Sequence, residues 1–343
     1  MKKNILITGG LGFIGSNFIY YINALYPHYK IVNVDSMTYA ADEQNIGLLT
    51  HPENYTFIKV DIREKERLVA LFEQYDITDV IHFAAESHVD NSINNPSIFA
   101  ETNVMGTLHL LETARNYWMS APFQYKERYQ ASRFHHISTD EVYGALGDDG
   151  YFTEATSYAP NSPYSASKAS SDMLVRSYFH TYGLNVVTTN CSNNYGPKQH
   201  IEKLIPKLIY CALNDEPLPI YGNGENIRDW LYVEDHCTGI DAVFHRGITG
   251  ETYLIGGHNE KTNIEIAQII CQNLDKLVPK KKSYSEQIQF VGDRHGHDFR
   301  YAIDSSKIQR ELNWEPKETF ETGVMKTIKW YIEKYTKEGL RKW

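Results

Sequence analysis

The chain has 343 residues, with 34 Lys and Arg against 43 Asp and Glu and a formal net charge of −9. That balance disfavours nucleic acid as the main partner, because phosphate backbones are held by clustered cations. Apolar residues make up 42% and charged residues 22%, which is the composition of a globular chain with a sizeable core, not of a disordered or fibrous one.

The first residues, Met1-Lys2-Lys3 before an apolar run, imitate a signal peptide. Gly9, Gly10, Gly12 and Gly15 break that run, and no stretch reaches the ~20 apolar residues of a membrane span, so the expectation is a cytoplasmic protein. In chain order, short β-branched runs at 4–8, 30–35, 55–59, 79–83, 133–138 and 185–190 read as strands. Between them, 13–25, 64–75, 98–117 and 163–182 have helical period; in the first, Ile14, Phe18, Tyr21, Ile22 and Leu25 make one apolar face. Strands alternating with helices build βαβ units, and these predict a doubly wound parallel α/β sheet covered on both faces. After Cys191 the pattern loosens. Residues 193–197 and 221–224 carry loop signals, 201–213, 262–277 and 319–335 read as helices, and 252–255 and 288–291 as strands. The expected organisation is a first domain over 1–190, to which the chain returns around 229–257, and a smaller mixed α/β lobe from 191–228 and 258–343. The four cysteines, at 191, 211, 237 and 271, have no metal or redox spacing. They read as reduced, buried thiols, and no metal site is expected.

Three motifs carry chemistry. Gly9, Gly12 and Gly15, followed by a helix that includes Phe13 and Ile14, lie directly after the first strand. Glycines there let the backbone approach a pyrophosphate that rests on the helix N-terminus. Asp35 closes the second strand, where an acid holds ribose hydroxyls and repels a 2′-phosphate, so NAD is favoured over NADP. Asp61, after the third strand, is placed to meet the adenine amine. The plainer reading of both acids is a turn. This makes the first domain Rossmann-type. The second motif is Tyr164-Ser165-Ala166-Ser167-Lys168, whose spacing of four puts phenol and ammonium on one helix face. A lysine beside a tyrosine, with an oxidised nicotinamide nearby, favours the phenolate, the base a sugar hydroxyl needs during hydride transfer. Together these two motifs resemble the extended short-chain dehydrogenase/reductase superfamily.

The third motif is Ser138-Thr139-Asp140-Glu141-Val142-Tyr143-Gly144, at the end of the fifth strand. Two carboxyl groups that differ in protonation can carry out an elimination, one taking a proton from carbon and the other protonating a departing hydroxyl. Neighbours on a strand point apart, so both serve one substrate only where the chain bends. The bland alternative is that they cap a following helix. With Ser162–Ala169, Asn190–Pro197, Ile227–Asp235 and Ile255–Glu260, this segment resembles the dTDP-glucose 4,6-dehydratase family over nearly the whole chain, departing at His295, where the family usually has proline.

The resemblance implies a redox-neutral lyase reaction on dTDP-glucose with bound NAD. Tyr164, Lys168 and Thr139 would serve oxidation at C4, Glu141 would take the C5 proton, and Asp140 would protonate the C6 hydroxyl. Ile62, Ala84, Ala85, Thr102 and Asn193 would touch the cofactor, and Ser87, with Thr139 and Asn193, the sugar. Lys203, Arg228, Asn263, Arg294 and His297 would hold the nucleotide diphosphate, Arg forks suiting phosphate oxygens; for Arg228 and Arg294 the alternative is a structural ion pair. The resemblance also implies a homodimer through the helices at 98–117 and 163–182, and a product that feeds deoxysugars such as rhamnose. Two rivals stand beside it. A UDP-hexose 4-epimerase would leave the acid pair without a task, and an inactive NAD-binding sensor would not need Thr139, Asp140, Glu141, Tyr164 and Lys168 together.

Overall fold

The computed structural model describes residues 3–293 and 298–337. Its main sheet has seven parallel strands, β1 (Asn4–Thr8), β2 (Lys30–Asp35), β3 (Tyr55–Lys59), β4 (Asp79–His82), β5 (Arg133–Thr139), β6 (Val186–Cys191) and β7 (Thr252–Ile255). In space they run β3-β2-β1-β4-β5-β6-β7, so the order reverses between β1 and β4. A ligand crevice opens outside the strand ends at such a reversal.

Burial follows from the sequence period. Ile5, Leu6 and Ile7 are wholly buried, because β1 is covered on both faces. On one face the helix Phe13–Leu25 sets Phe18, Ile19 and Ile22 against Ile240 and Val243 of the helix Val233–Arg246. On the other, Leu68, Leu111, Trp118 and Val175 bring together Lys65–Tyr75, Thr107–Trp118 and Pro163–Tyr182. Leu111 and Tyr178 are buried in this core, whereas Met173 is half exposed. A further core holds Ile209, Ile270, Phe320 and Ile328 from the helices Leu204–Leu213, Asn263–Leu277 and Phe320–Lys337. No helix among the described residues is long and apolar enough to cross a membrane.

Local chemistry fixes the helix that carries the Tyr/Lys pair. Ser162 and Ser165 form a reciprocal capping box, Pro163 occupies the first turn, and Gly183 ends the helix at φ +72°, a left-handed conformation suited to glycine. The single helix expected over 98–117 is instead Pro96–Phe99, a π-helical stretch Ala100–Gly106, and Thr107–Trp118. The Asn103 amide explains the bulge: it bonds Glu86 N (2.8 Å), Glu86 O (3.0 Å) and Ser167 Oγ (2.8 Å), and so clasps the segment after β4. Gly106 meanwhile sits where a Cβ would come within 2.5 Å of Ile62.

The second departure is at 193–197. Asn193–Tyr195 is a short strand there, parallel to Ile227–Tyr232, which also pairs with Glu260–Thr262 and Arg300–Tyr301. Its partner lies about 35 residues away in sequence, so local periodicity carries no trace of it.

Candidate active site

A cleft of about 720 Å³ lies at the β1/β4 reversal. Its floor is the glycine turn. A Cβ on Gly9 would come within 2.7 Å of Ala84 N and one on Gly15 within 2.3 Å of Gly9 O, whereas one on Gly12 would meet only Gly9 O, at 3.3 Å. Gly12 thus leaves open the space in front of the helix N-terminus, where Phe13, Ile14 and Gly15 face the cleft and a diphosphate finds free N–H groups. The cradle fits a dinucleotide.

At the end of β2, the Asp35 carboxylate accepts from Leu11 N (3.0 Å) and Met37 N (2.8 Å) while lining the cleft. It serves the turn and faces the site at once. Asp61 also lines the cleft, with its carboxylate forked by Arg63 at 2.8–3.1 Å. Ile62, Ala84, Ala85 and Thr102 complete that wall.

The reactive groups meet where β5 ends. The strand stops at Thr139, and Asp140–Tyr143 turns into a 3₁₀ helix capped by Thr139 Oγ1, which accepts from Glu141 N at 3.3 Å. The chain therefore does bend at the acid pair, and Thr139, not Asp140, caps the turn. Asp140 is 1% exposed and its Oδ2 has no hydrogen-bond partner. Burial first, and the Glu141 charge second, hold its carboxyl well above the carboxylate range, which favours the protonated acid. Glu141 acts on Tyr164 and Tyr301 as well.

Tyr164 and Lys168 face the cleft beside Thr139 and Asp140. The expected downward pull of Lys168 on the phenol is not what dominates. Burial, then Glu141, push Tyr164 well above its ordinary value, and a hydrogen bond with Thr139 works the other way. The Lys168 ammonium is spent on the Ile137 carbonyl at 2.9 Å, and burial lowers its own pKa.

On the opposite wall, Lys203 Nζ donates to Ser87 O at 2.9 Å, and Ser87 and Asn193 both line the cleft. The buried Asn193 Oδ1 has no hydrogen-bond partner, which suits a ligand contact. Arg228 stands outside that lining. Its guanidinium lies 4.2 Å from the Tyr301 ring centroid and donates to the carbonyls of Ile227 (2.7 Å), Asp298 (2.9 Å) and Phe299 (3.2 Å). Beside it, the Asp229 carboxylate accepts from Gly257 N and Asn259 N. Asn263 opens the helix Asn263–Leu277 and also lies off the cleft. Arg294 and His297 fall outside the described residues, as does His295. Sequence reasoning missed Asp172, a buried carboxylate bonded to β5 and β6. Its position four residues after Lys168 was the available signal.

A dinucleotide cradle that runs into a buried Tyr/Lys pair is the working arrangement of the extended short-chain dehydrogenase/reductases. The model of the GDP-mannose 4,6 dehydratase family matches residues 6–327. A dTDP-glucose 4,6-dehydratase of Salmonella typhimurium is 52% identical over 337 residues, covering 96% of this chain and 92% of its own. Two solved structures bear the same name. That from Bacillus anthracis, in complex with NAD, is 45% identical with TM-score 0.86 and covers 99% of this chain and 100% of its own. That from Streptomyces venezuelae, with NAD and TYD bound, is 41% identical with TM-score 0.88 and covers 98% of this chain and 100% of its own. The chain belongs to the dTDP-glucose 4,6-dehydratase family.

Proposed function

We infer that this enzyme dehydrates dTDP-glucose to dTDP-4-keto-6-deoxyglucose with NAD as a bound, recycled cofactor. The observation that carries this reading is the acid pair. Asp140 is buried beside Glu141, with its carboxyl held well above the carboxylate range, on a bend that faces the Tyr/Lys pair. An epimerase would leave that pair idle.

When bound, NAD accepts a hydride from C4 of the sugar and later returns it to C6. Tyr164 takes the C4 hydroxyl proton, and Thr139 holds the phenol through their hydrogen bond. The resulting 4-keto group acidifies C5, whose proton Glu141 removes. Asp140 donates its proton to the departing C6 hydroxyl, which leaves as water, and a proton is added at C5 as the hydride returns to C6. The sugar reacts between β5 and Ser87, while Lys203 and Arg228, with Asn263, Arg294 and His297, serve the diphosphate and base. In this reading 1–190 with 229–257 carry the cofactor, and 191–228 with 258–343 carry the nucleotide sugar. The place of β7 in the main sheet and the separate core around Phe320 support that division. The protein works in the cytoplasm as a homodimer, with the half-exposed Met173 on the pairing helix.

Mass spectrometry of dTDP-glucose and, separately, UDP-glucose after incubation with the purified enzyme tests the reading. Loss of one water from the thymidine sugar without net NADH is expected. A hexose that epimerises at constant mass would overturn it.

A further inference from the structure

Behind the reacting groups lies a second cluster that the reaction scheme does not use. Asp172 is 4% exposed and stands one helical turn after Lys168. Four side chains from three segments converge on its carboxylate. Ser138 Oγ donates at 2.9 Å, Tyr158 OH at 3.0 Å and Asn190 Nδ2 at 3.1 Å to Oδ2, while His136 Nε2 lies 3.0 Å from Oδ1. An ionised carboxylate only accepts, which puts the His136 proton on Nε2.

We infer that Asp172 is a positioning residue for the reaction: it pins β5, which carries Thr139–Glu141, to the helix that carries Tyr164 and Lys168, and it is the buried counter-charge of the Lys168 ammonium. This rests on the reading of the reaction given above. The pinning is geometric, because His136 and Ser138 precede the acid pair on β5 and Asn190 lies on β6. The counter-charge role follows from what else faces Lys168. Tyr164 shares its helix, His136 and Asp140 come from β5 and its turn, His82 from β4 and Cys191 from β6. Both histidines are held neutral by burial, and burial likewise keeps the Cys191 thiol protonated and pushes the Asp140 carboxyl towards its acid form. Asp172 itself stays anionic: its burial is outweighed by the hydrogen bonds from His136 and Ser138 and by the Lys168 charge. An ammonium in such surroundings keeps its proton only beside an anion.

Asp172→Asn keeps the shape and removes the charge. The readout is NADH formed from dTDP-glucose in the Glu141→Gln background, which isolates C4 oxidation from elimination, followed across pH. Relative to Glu141→Gln alone, the added Asp172→Asn is expected to slow NADH formation about tenfold at neutral pH and to move the alkaline limb down by about one pH unit. Half-saturating dTDP-glucose should change little. Asp172→Glu, which restores the charge, should restore the limb. An equal loss at every pH with the limb unmoved, or no loss, would overturn the assignment. If Asp172→Asn fails to fold, Tyr158→Phe in the same background removes one donor and keeps the charge. It should slow NADH formation without moving the limb to lower pH, and an unchanged rate would refute the pinning. Absence of NADH with Asp172 intact would instead indict the reaction scheme itself.

Discussion

The two walls of the cleft are built from different materials. On the cofactor side the surface is mostly backbone: three glycines after β1, the alanines after β4, and an aspartate that braces the first turn. What decides function there is whether a Cβ fits. The facing wall is made of side chains brought from far apart, with Lys203 reaching the Ser87 carbonyl, and behind it Arg228 lies on Tyr301. There, charge and reach decide. The walls meet at the end of β5, where Asp140 and Glu141 combine a backbone bend with paired carboxyls. Substitutions should therefore fail differently on the two sides, and most severely at the seam.

The largest effect is expected at the seam. Glu141→Gln should cut water loss by about 10²–10⁴-fold and let NADH accumulate, as followed by its absorbance. Water loss at a wild-type rate would leave the C5 proton to another base. Asp140→Asn should also slow elimination strongly while C4 oxidation continues. Because burial and Glu141 raise the Asp140 pKa, its acid form persists above the ordinary carboxylate range, and elimination should decline only as pH rises through that elevated value. A decline across the ordinary carboxylate range near pH 4 would mean Asp140 is not the acid.

On the backbone wall, Gly15→Ala sets a Cβ 2.3 Å from Gly9 O. Such a clash costs about 1–3 kcal/mol, and the variant should purify with about tenfold or more less NAD, read from its absorbance ratio. Full retention would show that the turn can shift. The smallest effect is expected behind the side-chain wall. Arg228→Lys keeps the charge and loses the planar fork, so half-saturating dTDP-glucose should rise by about three- to tenfold with kcat nearly unchanged. A fall in kcat alone would move Arg228 from binding to chemistry.

The same division governs what can be read in the sequence. β1 to β6, the glycine turn and the Tyr164/Lys168 pair announce themselves within short windows, because a helical or strand period and a spacing of three or four are local properties. The strand Ile227–Tyr232 and the partners of Asp172 are set by pairing across the fold, and no local period marks them. The π-helical turn at Ala100–Gly106 is of the same kind. Its cause is Asn103 reaching Glu86 and Ser167, which only the assembled fold brings near. Arg228 was singled out by its motif, but its stacking on Tyr301 and its bonds to carbonyls depend on Phe299 and Asp298 arriving from about 70 residues away.

The most direct test of the account uses dTDP-glucose deuterated at C4, with the position of the label in the product read by NMR and mass spectrometry. A hydride that leaves C4, waits on bound cofactor while Glu141 and Asp140 remove water, and returns to C6 must carry the deuterium to C6. A product with deuterium still at C4, or a label lost to solvent, would contradict the acid pair's role and return the cleft to simple oxidation or epimerisation.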